Sequence, residues 1–365
     1  MVIVYLGRRG GGSQLLMSTL LNLRENGKIF EVWVSTSNED LDYIKTLNYP
    51  IRMLDIPHKY PDLINPIILI KTIVTLVKMF AITLFSNSKI LIHVMASPTD
   101  LVIDFAAKIR RKKIVRVIHD FERHSGERWP TSRAIDIRTK LATTVVTFSR
   151  YVMNNLQELK SKETIVCSLP NQLVIHSSAE NLIIRAGERL KLQNLPIVLV
   201  IGRAEEYKGI EKLAEVASGL EEVCIFVIAG SGIIGIEQSA NVTILNKWLT
   251  DAEFELLLDI SHLVLFPYKE ASQSGTIPLA IKKDKYIVCS NVGGLAEQII
   301  GYPKAELLSA NDVDTLTLAI IESLNQMKNQ SNQKKEWIST DLLDNPPSKG
   351  ELWEVLLAMA LKEIL

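Results

Sequence analysis

Short apolar runs alternate with stretches of helical pattern along this chain, and the alternation occurs in two successive series. In the first series the apolar runs predict strands at 2–6, 29–34, 51–56, 89–95, 113–118, 144–148 and 164–169. In the second they predict strands at 197–201, 223–229, 242–245, 263–266 and 286–289, with helices at 208–218, 251–259 and 312–327 among them. Parallel strands need long crossovers, usually helical, that cover the sheet. The chain is therefore predicted to form two doubly wound α/β units.

The length and the punctuation of the chain agree with two domains. At about 100–200 residues per domain, 365 residues predict two. Prolines 170 and 196 bound a polar stretch that we interpret as the linker. The predicted domains are 1–175 and 190–345, and a helix within 348–365 follows the Pro346-Pro347 break, from where it could pack back on the first domain.

Composition excludes several classes of protein. Apolar residues make up 47% and charged residues 22%, which is typical of a globular chain rather than a disordered one. Lys plus Arg and Asp plus Glu both number 41, so attraction for an anion must be local, and no nucleic-acid partner is expected. Cys167, Cys224 and Cys289 lie in separate apolar runs, which argues against a disulfide framework or a zinc site. The first apolar run is too short for a signal peptide, so a cytoplasmic location is expected.

Residues 66–85 have the length of a membrane span, but they include two lysines. Lys71, Thr75 and Lys78 follow helical spacing and form one polar stripe. Two interpretations stay open. The segment is either a core helix with one wet edge, or a helix that lies on a bilayer with its lysines toward anionic headgroups.

The first glycine-rich loop, GRRGGGS at 7–13, follows the first strand and precedes a helix. Gly11 and Gly12 would let a ligand approach the backbone, and the helix N-terminus would offer unpaired N–H groups to an anion. The second strand ends at 34–36 without an acidic residue, which disfavours a nicotinamide dinucleotide. A plain tight turn is the alternative.

A second loop, GRAEEYKG at 202–209, follows the first strand of the second half. Arg203 could bind two phosphate oxygens, and Lys208, predicted at the start of the next helix, would add a charge beside that helix's positive end. The alternative is a solvated loop in which Glu205 and Glu206 neutralise both cations.

A third loop, FPYKEASQSGTIP at 266–278, leaves a strand, passes Glu270 and reaches glycine at a predicted helix start. Its amides could hold a phosphate while Glu270 accepts hydrogen bonds from sugar hydroxyls. AGSG at 229–232 and VGGLAE at 292–297 follow two other strands of the same predicted sheet. Ligands of such sheets bind at the carboxyl ends of the strands, so these loops are expected to share one site.

These fragments, in this order and spacing, resemble the C-terminal domain of retaining glycosyltransferases of family 4, which have the GT-B fold. The resemblance is closest to a subgroup with an SQSG loop and a proline in place of the second glutamate of the paired-glutamate motif. It implies two Rossmann-like domains that face a central cleft, the first for the acceptor and the second for the nucleotide sugar. It also implies metal-independent transfer of a hexose-like sugar from a nucleotide diphosphate donor with retention, and no cofactor.

The resemblance also implies roles for particular residues. Arg203 and Lys208 would neutralise the donor diphosphate, and Glu270 matches the first glutamate, which contacts the transferred sugar. Pro278 stands at the second position, so ribose binding would pass to Glu297 or to a backbone group. The donor-binding set implied by the loops is Gly11, Gly12, Gly202, Gly230, Ser274, Gly275, Thr276 and Glu297.

In the first half, His119 and Asp120 end a strand and begin a charged loop. The resemblance implies that His119 contacts donor or acceptor, with Asp120 and His124 on the acceptor side. A metal site that adds Glu122 and a structural histidine bonded to a backbone carbonyl are the alternatives. Trp129 and Trp248 would each either stack on a sugar or base or belong to the core.

The function expected from the resemblance is sugar transfer to a glycan or lipid-linked glycan acceptor in bacterial envelope or exopolysaccharide biosynthesis. The enzyme would be cytoplasmic or peripheral at the inner face of the cell membrane. One alternative is a nucleotide-sugar 2-epimerase of GT-B shape, which needs acids and bases at C2. The other is an inactive homologue that binds a nucleotide or a glycan.

Overall fold

The computed structural model describes residues 1–27, 30–56, 66–122, 130–156, 162–176, 178–180, 184, 188, 194–330 and 350–362. These residues form two compact units. Unit 1 is built from residues within 1–170 together with 350–362, and unit 2 from residues within 171–330. Each unit contains one parallel sheet.

Unit 1 has the predicted doubly wound arrangement. Its strands are β1 (Val2–Tyr5), β2 (Glu31–Ser35), β3 (Ile51–Leu54), β4 (Ile90–His93), β5 (Lys113–Ile118), β6 (Thr144–Thr147) and β7 (Glu163–Val166). Its helices up to residue 155 are α1 (Gly11–Glu25), α2 (Leu41–Thr46), α3 (Pro66–Phe85), α4 (Leu101–Ile109), α5 (Ser132–Leu141) and α6 (Arg150–Asn155). The strand order is β3-β2-β1-β4-β5-β6-β7, with every pair parallel.

Unit 2 repeats the scheme with a shorter sheet. Its strands are β8 (Ile197–Ile201), β9 (Ile225–Ala229), β10 (Val242–Leu245), β11 (Leu263–Phe266), β12 (Tyr286–Ser290) and β13 (Ala305–Leu308), in the order β10-β9-β8-β11-β12-β13. Its helices are α7 (Leu213–Ser218), α8 (Asp251–Ile260), α9 (Thr276–Lys282), α10 (Leu295–Ile299) and α11 (Val313–Gln330). The last helix of the chain, α12 (Leu352–Lys362), belongs to unit 1, where it packs against α1.

In unit 2 one predicted helix was wrong in detail and one strand was missed. The predicted helix at 208–218 consists of two short 3₁₀ turns, Glu206–Lys208 and Ile210–Lys212, followed by α7. They are separated by Gly209, whose φ of 64° is left-handed and ends the first turn. Strand β13 was not predicted, because three of its four residues are at least partly exposed and its apolar run is short.

The strand orders define where each sheet can bind a ligand. In unit 1 the chain runs from β1 outward through β2 to β3, and then crosses back to place β4 on the other side of β1. The strand order therefore reverses between β1 and β4. In unit 2 it reverses between β8 and β11. Open α/β sheets bind ligands beyond the carboxyl ends of the strands at such a reversal. The loops that follow β1, β8 and β11 are therefore the candidate binding loops, and all three carry the motifs found in the sequence.

Helix α3 exposes more apolar surface than a core helix with a single solvent-exposed polar stripe would. Ile70 is 61% exposed and Val77 is 62% exposed, whereas Met79 is fully buried in the core of unit 1. Residues Ile67–Phe85 have a mean hydropathy of 2.2 and are long and apolar enough to cross a membrane by length and composition. A mostly apolar helix of a globular unit normally buries its apolar side chains, so this exposed face requires an explanation.

Unit 1 encloses a cluster of buried charges behind β4 and β5. Arg116 donates to Asp100 Oδ2 at 2.5 Å and also to Asp104. Arg138 Nη2 donates to Asp100 Oδ1 at 2.7 Å and to the Ser97 carbonyl at 2.6 Å. All four charged side chains are at most 2% exposed. Burial raises the pKa of Asp100, but the surrounding basic side chains, Arg116 foremost, outweigh that effect and hold the pKa below its usual value.

The lowered pKa of Asp100 predicts a dependence of stability on pH. A carboxylate whose pKa is lower in the folded state contributes stability that is present above its unfolded pKa of about 3.9 and is lost as pH falls through the folded value. We expect the free energy of unfolding to fall as the pH drops below about 4, and the fall to be smaller in Asp100→Asn. Asp42→Asn, at a side chain that is 95% exposed, is the control. Equal acid dependence in wild type and Asp100→Asn, measured by urea unfolding, would contradict this account.

Candidate functional site

The loops after β8 and β9 in unit 2 are held together by backbone contacts. Gly202 N donates to Ala229 O at 2.9 Å, and Ala204 N donates to Ser231 O at 2.9 Å. Gly230 has a φ of 145°, and a Cβ there would lie 1.8 Å from Gly202 O. Packing against Gly202 therefore requires glycine at position 230. No ligand is needed to explain this residue.

Lys208 lies over the end of β8. A Cβ on Gly202, whose φ is 119°, would lie 2.9 Å from Lys208 Nζ. Lys208 Nζ donates to the hydroxyl of Tyr268 at 2.9 Å, and Tyr268 follows β11. Among the described residues, no carboxylate forms an ion pair with Lys208. A half-buried ammonium is thus fixed between the ends of β8 and β11, where the strand order reverses, and no carboxylate in the described part of the chain pairs with it.

The sequence placed Lys208 at a helix start, which is wrong because α7 begins at Leu213. Lys208 instead ends the 3₁₀ turn Glu206–Lys208. Its position comes from Tyr268 rather than from a helix terminus. Tyr268 is buried, and the sequence analysis missed it; the only available signal was its place two residues before Glu270, directly after a strand.

Arg203 has a different environment from Lys208. Its side chain is 49% exposed, and Nη1 lies 3.2 Å from Glu205 Oε1. The alternative interpretation expected acidic neighbours to neutralise both cations of this loop, and the structure shows such a pair for Arg203. An exposed ion pair contributes only about 0–1 kcal/mol, so Arg203 could exchange Glu205 for a phosphate at low cost.

The loops after β8 and β11 pack closely on each other. Lys269 N donates to Tyr207 O at 2.7 Å, and the Tyr207 and Tyr268 rings meet edge to face at 6.0 Å. Gly209 approaches Pro267, because a Cβ there would lie 2.1 Å from the Pro267 carbonyl oxygen. The two loops that flank the reversal of strand order therefore form one rigid surface.

The SQSG segment ends at α9, whose N-cap is Gly275. Ser274 N donates to Gln298 Oε1 at 2.7 Å, and Gln298 Nε2 donates back to Ser274 O at 3.0 Å. A phosphate could take the Ser274 amide only by displacing Gln298. Thr276 N contacts Ser274 Oγ at 3.4 Å. Gln298 was not identified from the sequence, since a glutamine in a short helix carries no recognisable signal.

Gly275 is the residue of this segment with open space around its backbone. It is exposed, its φ of −65° suits any residue, and no heavy atom lies within 4 Å of a Cβ built there. Neither backbone conformation nor packing within the chain requires glycine at this position. A ligand that approaches the backbone closely is a remaining physical reason for glycine at this position.

Gly275→Ala is therefore a sharp test of ligand approach. We expect a normal melting temperature but at least about tenfold weaker binding of a nucleoside diphosphate, a change of about 1.4 kcal/mol. Gly219→Ala is the matched control, because its Cβ would make an ordinary contact at 3.6 Å and it lies at the end of α7. Unchanged nucleotide affinity in Gly275→Ala, measured by titration calorimetry, would remove this residue from the site.

The two candidate sugar-binding carboxylates are both half-buried. Glu270 follows β11 by four residues, and Glu297 lies in α10. The loop before α10 is tied to the Glu270 loop, because Gly294 N donates to Ala271 O at 3.2 Å. Pro278 lies in the first turn of α9, where its missing N–H costs no helical hydrogen bond.

In unit 1 the glycine-rich loop begins α1 beside the end of β4. Gly10, with a φ of 87°, is the N-cap, and its carbonyl accepts from Ser13 N and Gln14 N. Gly12 is packed, because a Cβ there would lie 2.8 Å from the Met95 side chain. Gly11 is exposed, and nothing lies within 4 Å of a Cβ there. Of the two glycines singled out in this loop, Gly11 alone is left unexplained by packing.

A second loop of unit 1 fixes this one in place. Asn38 Nδ2 donates to Gly7 O at 3.2 Å, and Ser13 Oγ donates to Asp40. Arg8 Nε pairs with Glu39 Oε1 at 3.0 Å. The first arginine of the loop thus contacts a carboxylate that the sequence analysis did not consider.

His119 directly follows β5. Its Nε2 lies 3.1 Å from Val94 O, and its ring packs against Phe148 at 5.0 Å. Burial lowers the pKa of His119, and Asp120 opposes that shift only in part, so the imidazole is neutral near pH 7. If Nε2–H donates to Val94, then Nδ1 is the acceptor. The contact of Nε2 with the Val94 carbonyl fits the structural-histidine alternative.

The remaining candidates are placed in part. Asp120 is half-buried beside His119, and Trp248 is 37% exposed after β10. His124 and Trp129 lie outside the described residues, as does the metal alternative that depends on His124.

Comparison with known proteins supports a two-domain fold in which each unit contains one of the two sheets. Residues 186–338 match the sequence model of the family described as "Glycosyl transferases group 1". A search among curated proteins gave no match. The following solved structures share the fold over most of this chain.

A glycosyltransferase from Rickettsia africae has 16% identity and a TM-score of 0.66, over 89% of this chain and 88% of its own. Anabaena Alr3699/HepE in complex with UDP and glucose has 15% identity and a TM-score of 0.64, over 90% and 91%. A putative UDP-N-acetylglucosamine 2-epimerase from Listeria monocytogenes has 14% identity and a TM-score of 0.65, over 100% and 96%. Identities this low establish likeness of fold alone. Residues 186–338 are therefore similar to the glycosyl transferases of group 1, within a chain that has the two Rossmann-like sheets of the GT-B fold.

Proposed function

We propose that this protein is a retaining glycosyltransferase that moves a sugar from a nucleotide diphosphate donor to an acceptor hydroxyl. The observation that carries the proposal is the ammonium of Lys208, held by Tyr268 where the strand order of unit 2 reverses and left without a carboxylate among the described residues. The family match over 186–338 supports the same reaction class.

In this mechanism the protein stabilises charge on the leaving diphosphate. As the bond from the anomeric carbon to the phosphate oxygen breaks, negative charge grows on the leaving oxygens, and cations fixed beforehand in a partly buried site stabilise it. Lys208 supplies the preorganised cation, Arg203 exchanges Glu205 for a phosphate oxygen, and the exposed start of α9 at Gly275 offers a backbone amide. The diphosphate then accepts the proton of the attacking hydroxyl on the same face, so the configuration is retained without a covalent nucleophile.

Recognition of the sugar and of the acceptor is assigned to other groups. Glu270 accepts hydrogen bonds from hydroxyls of the transferred sugar, and Glu297 or a backbone group binds the ribose in place of a glutamate at Pro278. Unit 1 recognises the acceptor through Asp120 and His119, which lie together directly after β5. A glycan or lipid-linked glycan of the cell envelope is the proposed acceptor class.

The donor base is best searched first among uridine nucleotides. Anabaena Alr3699/HepE was solved with UDP and glucose, and the epimerases among the structural neighbours are named for a UDP-sugar. UDP-hexoses are therefore the first donors to test, followed by GDP-sugars and ADP-sugars.

Glu270→Gln separates the sugar contact from the phosphate contact. A neutral amide still fits but no longer offers a charged acceptor to hydroxyls, and hydrogen bonds to charged groups contribute about 1.5–3 kcal/mol. We expect kcat/KM for the sugar nucleotide to fall by about tenfold or more, while the affinity for the free nucleoside diphosphate stays nearly unchanged. Equal loss of affinity for both would show that Glu270 does not face the sugar.

The reaction itself is tested by incubation with each sugar nucleotide, with and without an envelope lipid extract as acceptor. The proposal predicts release of nucleoside diphosphate and a glycoside of unchanged anomeric configuration, seen by NMR, only when acceptor is present. Conversion of the donor at C2 without acceptor would identify an epimerase instead. Nucleotide binding without either product would identify an inactive homologue.

A further inference from the structure

The exposed side of α3 continues onto α4, and together they form an apolar surface on unit 1. We define this surface, the α3/α4 patch, by Ile70, Ile73, Val77, Phe85, Phe105 and Ile109, which are between 50% and 79% exposed. The opposite side of α3 is anchored in unit 1, because Met79 is fully buried in the same core as Leu91 and Ile103. The helix is therefore a layer of the fold that presents an apolar face outward.

Positive charge borders the patch in two places. Along α3, Lys71 and Lys78 are exposed on one flank of the apolar face. At the end of α4, the sequence KIRRKK at 108–113 places exposed Lys108, Arg110 and Arg111 together. This run lies at the end of α3, because Lys112 Nζ donates to Ser86 O at 2.6 Å. Proximity to Arg110 contributes, after burial, to lowering the pKa of Lys112.

Among the described residues of α3, of α4 and of the segments that join them to β4 and β5, exposed carboxylates are absent. Residues 66–99 and 105–119 contain no Asp or Glu. The carboxylates of the intervening stretch, Asp100 and Asp104, are buried and bound by Arg116. Glu31, at the nearby start of β2, pairs with Arg52 at 2.8 Å.

We propose that the α3/α4 patch docks on an anionic lipid bilayer. An apolar helical face flanked by basic side chains is the pattern of a helix that lies in the membrane interface. Phe85 and the apolar side chains of α3 enter the headgroup boundary, while Lys78 and the 108–111 cluster contact anionic headgroups. A second copy of the chain is a poor occupant, because two copies of a surface with a positively charged border would repel each other. The inference is independent of the proposed function, since its readout is lipid binding and not turnover.

Vesicle flotation of the full-length protein tests the proposal at low ionic strength. We expect it to float with phosphatidylcholine vesicles that contain phosphatidylglycerol, and to float much less with phosphatidylcholine alone or at high salt, where charges are screened. At about 1 kcal/mol per basic residue near an anionic surface, Arg110→Gln with Arg111→Gln should lower the partition coefficient by about 30-fold. Lys282→Gln with Arg24→Gln, at exposed positions elsewhere, is the matched control.

The apolar part of the surface is tested in the same assay. Ile70→Ser with Val77→Ser should also reduce flotation, whereas Ile234→Ser with Leu318→Ser should not, although those side chains are 86% and 59% exposed. Unchanged melting temperatures confirm that the variants fold. Absence of flotation at low salt, equal flotation with neutral vesicles, or equal loss in the control variants would each overturn the proposal. Resistance to extraction by alkaline carbonate would overturn it in favour of a spanning helix.

Discussion

Lys208→Ala is expected to lower kcat by about 100-fold or more, because removal of one fixed group that stabilises transition-state charge typically costs 10²–10³. Lys208 Nζ contacts Tyr268 at 2.9 Å and has no ion pair among the described residues, so its removal leaves no unpaired carboxylate behind. The variant should therefore keep its melting temperature. Steady-state kinetics with the identified donor and acceptor provide the measurement.

The matched control for this variant is Lys282→Ala, at an exposed lysine in the last turn of α9. Tyr268→Phe should give an intermediate loss, since it keeps the ring but removes the hydroxyl that positions the ammonium. Activity should also survive EDTA. Near-normal turnover in Lys208→Ala, or strict dependence on Mg²⁺ or Mn²⁺, would contradict the role of Lys208 as the fixed cation that stabilises the leaving diphosphate.

Arg116→Ala is expected to lower the free energy of unfolding by about 3–5 kcal/mol, because removing one partner of a buried ion pair leaves the other charge unpaired. Arg116 contacts both Asp100 and Asp104, and all three side chains are at most 2% exposed. A loss this large would leave a protein of ordinary stability close to unfolding. Urea denaturation, followed by circular dichroism, is the measurement.

Arg110→Ala is the control for Arg116→Ala, because Arg110 is exposed and substitutions at such surface positions usually change stability by at most about 0.5 kcal/mol. If Arg116→Ala does not fold, Arg138→Lys offers a milder test, since lysine keeps the charge but cannot reproduce the two contacts of Arg138 with Asp100 Oδ1. A loss below about 1 kcal/mol in Arg116→Ala would show that the cluster tolerates an unpaired carboxylate.

Most of the fold follows from local sequence. Strands β5, β8, β10 and β11 begin and end at the predicted residues, because buried parallel strands are continuous apolar runs with clear ends. The GT-B fold implied by the resemblance is confirmed by the two sheets and by the structural neighbours. What sequence alone could not supply was the break at Gly209, where the close approach to Pro267 is a tertiary contact.

The candidate site was predictable in its loops but not in its contacts. Glycine, cationic and acidic residues after strands are visible in one sequence, which is why Lys208 and Glu270 could be named. The hydrogen bond between Lys208 and Tyr268 joins residues 60 positions apart, and the one between Ser274 and Gln298 joins residues 24 positions apart. Such contacts depend on strand order, and no local pattern encodes them. The same limit applied to α3, whose sequence fitted both a buried and a surface helix.

A crystal structure with the nucleoside diphosphate that raises the melting temperature most would show directly whether Lys208 binds the donor. We expect diphosphate oxygens within about 2.7–3.2 Å of Lys208 Nζ and beside the backbone of Gly275, beyond the ends of β8 and β11. Arg203 should have left Glu205 to contact the same phosphates. A nucleotide bound elsewhere, with Lys208 still held only by Tyr268, would contradict the account.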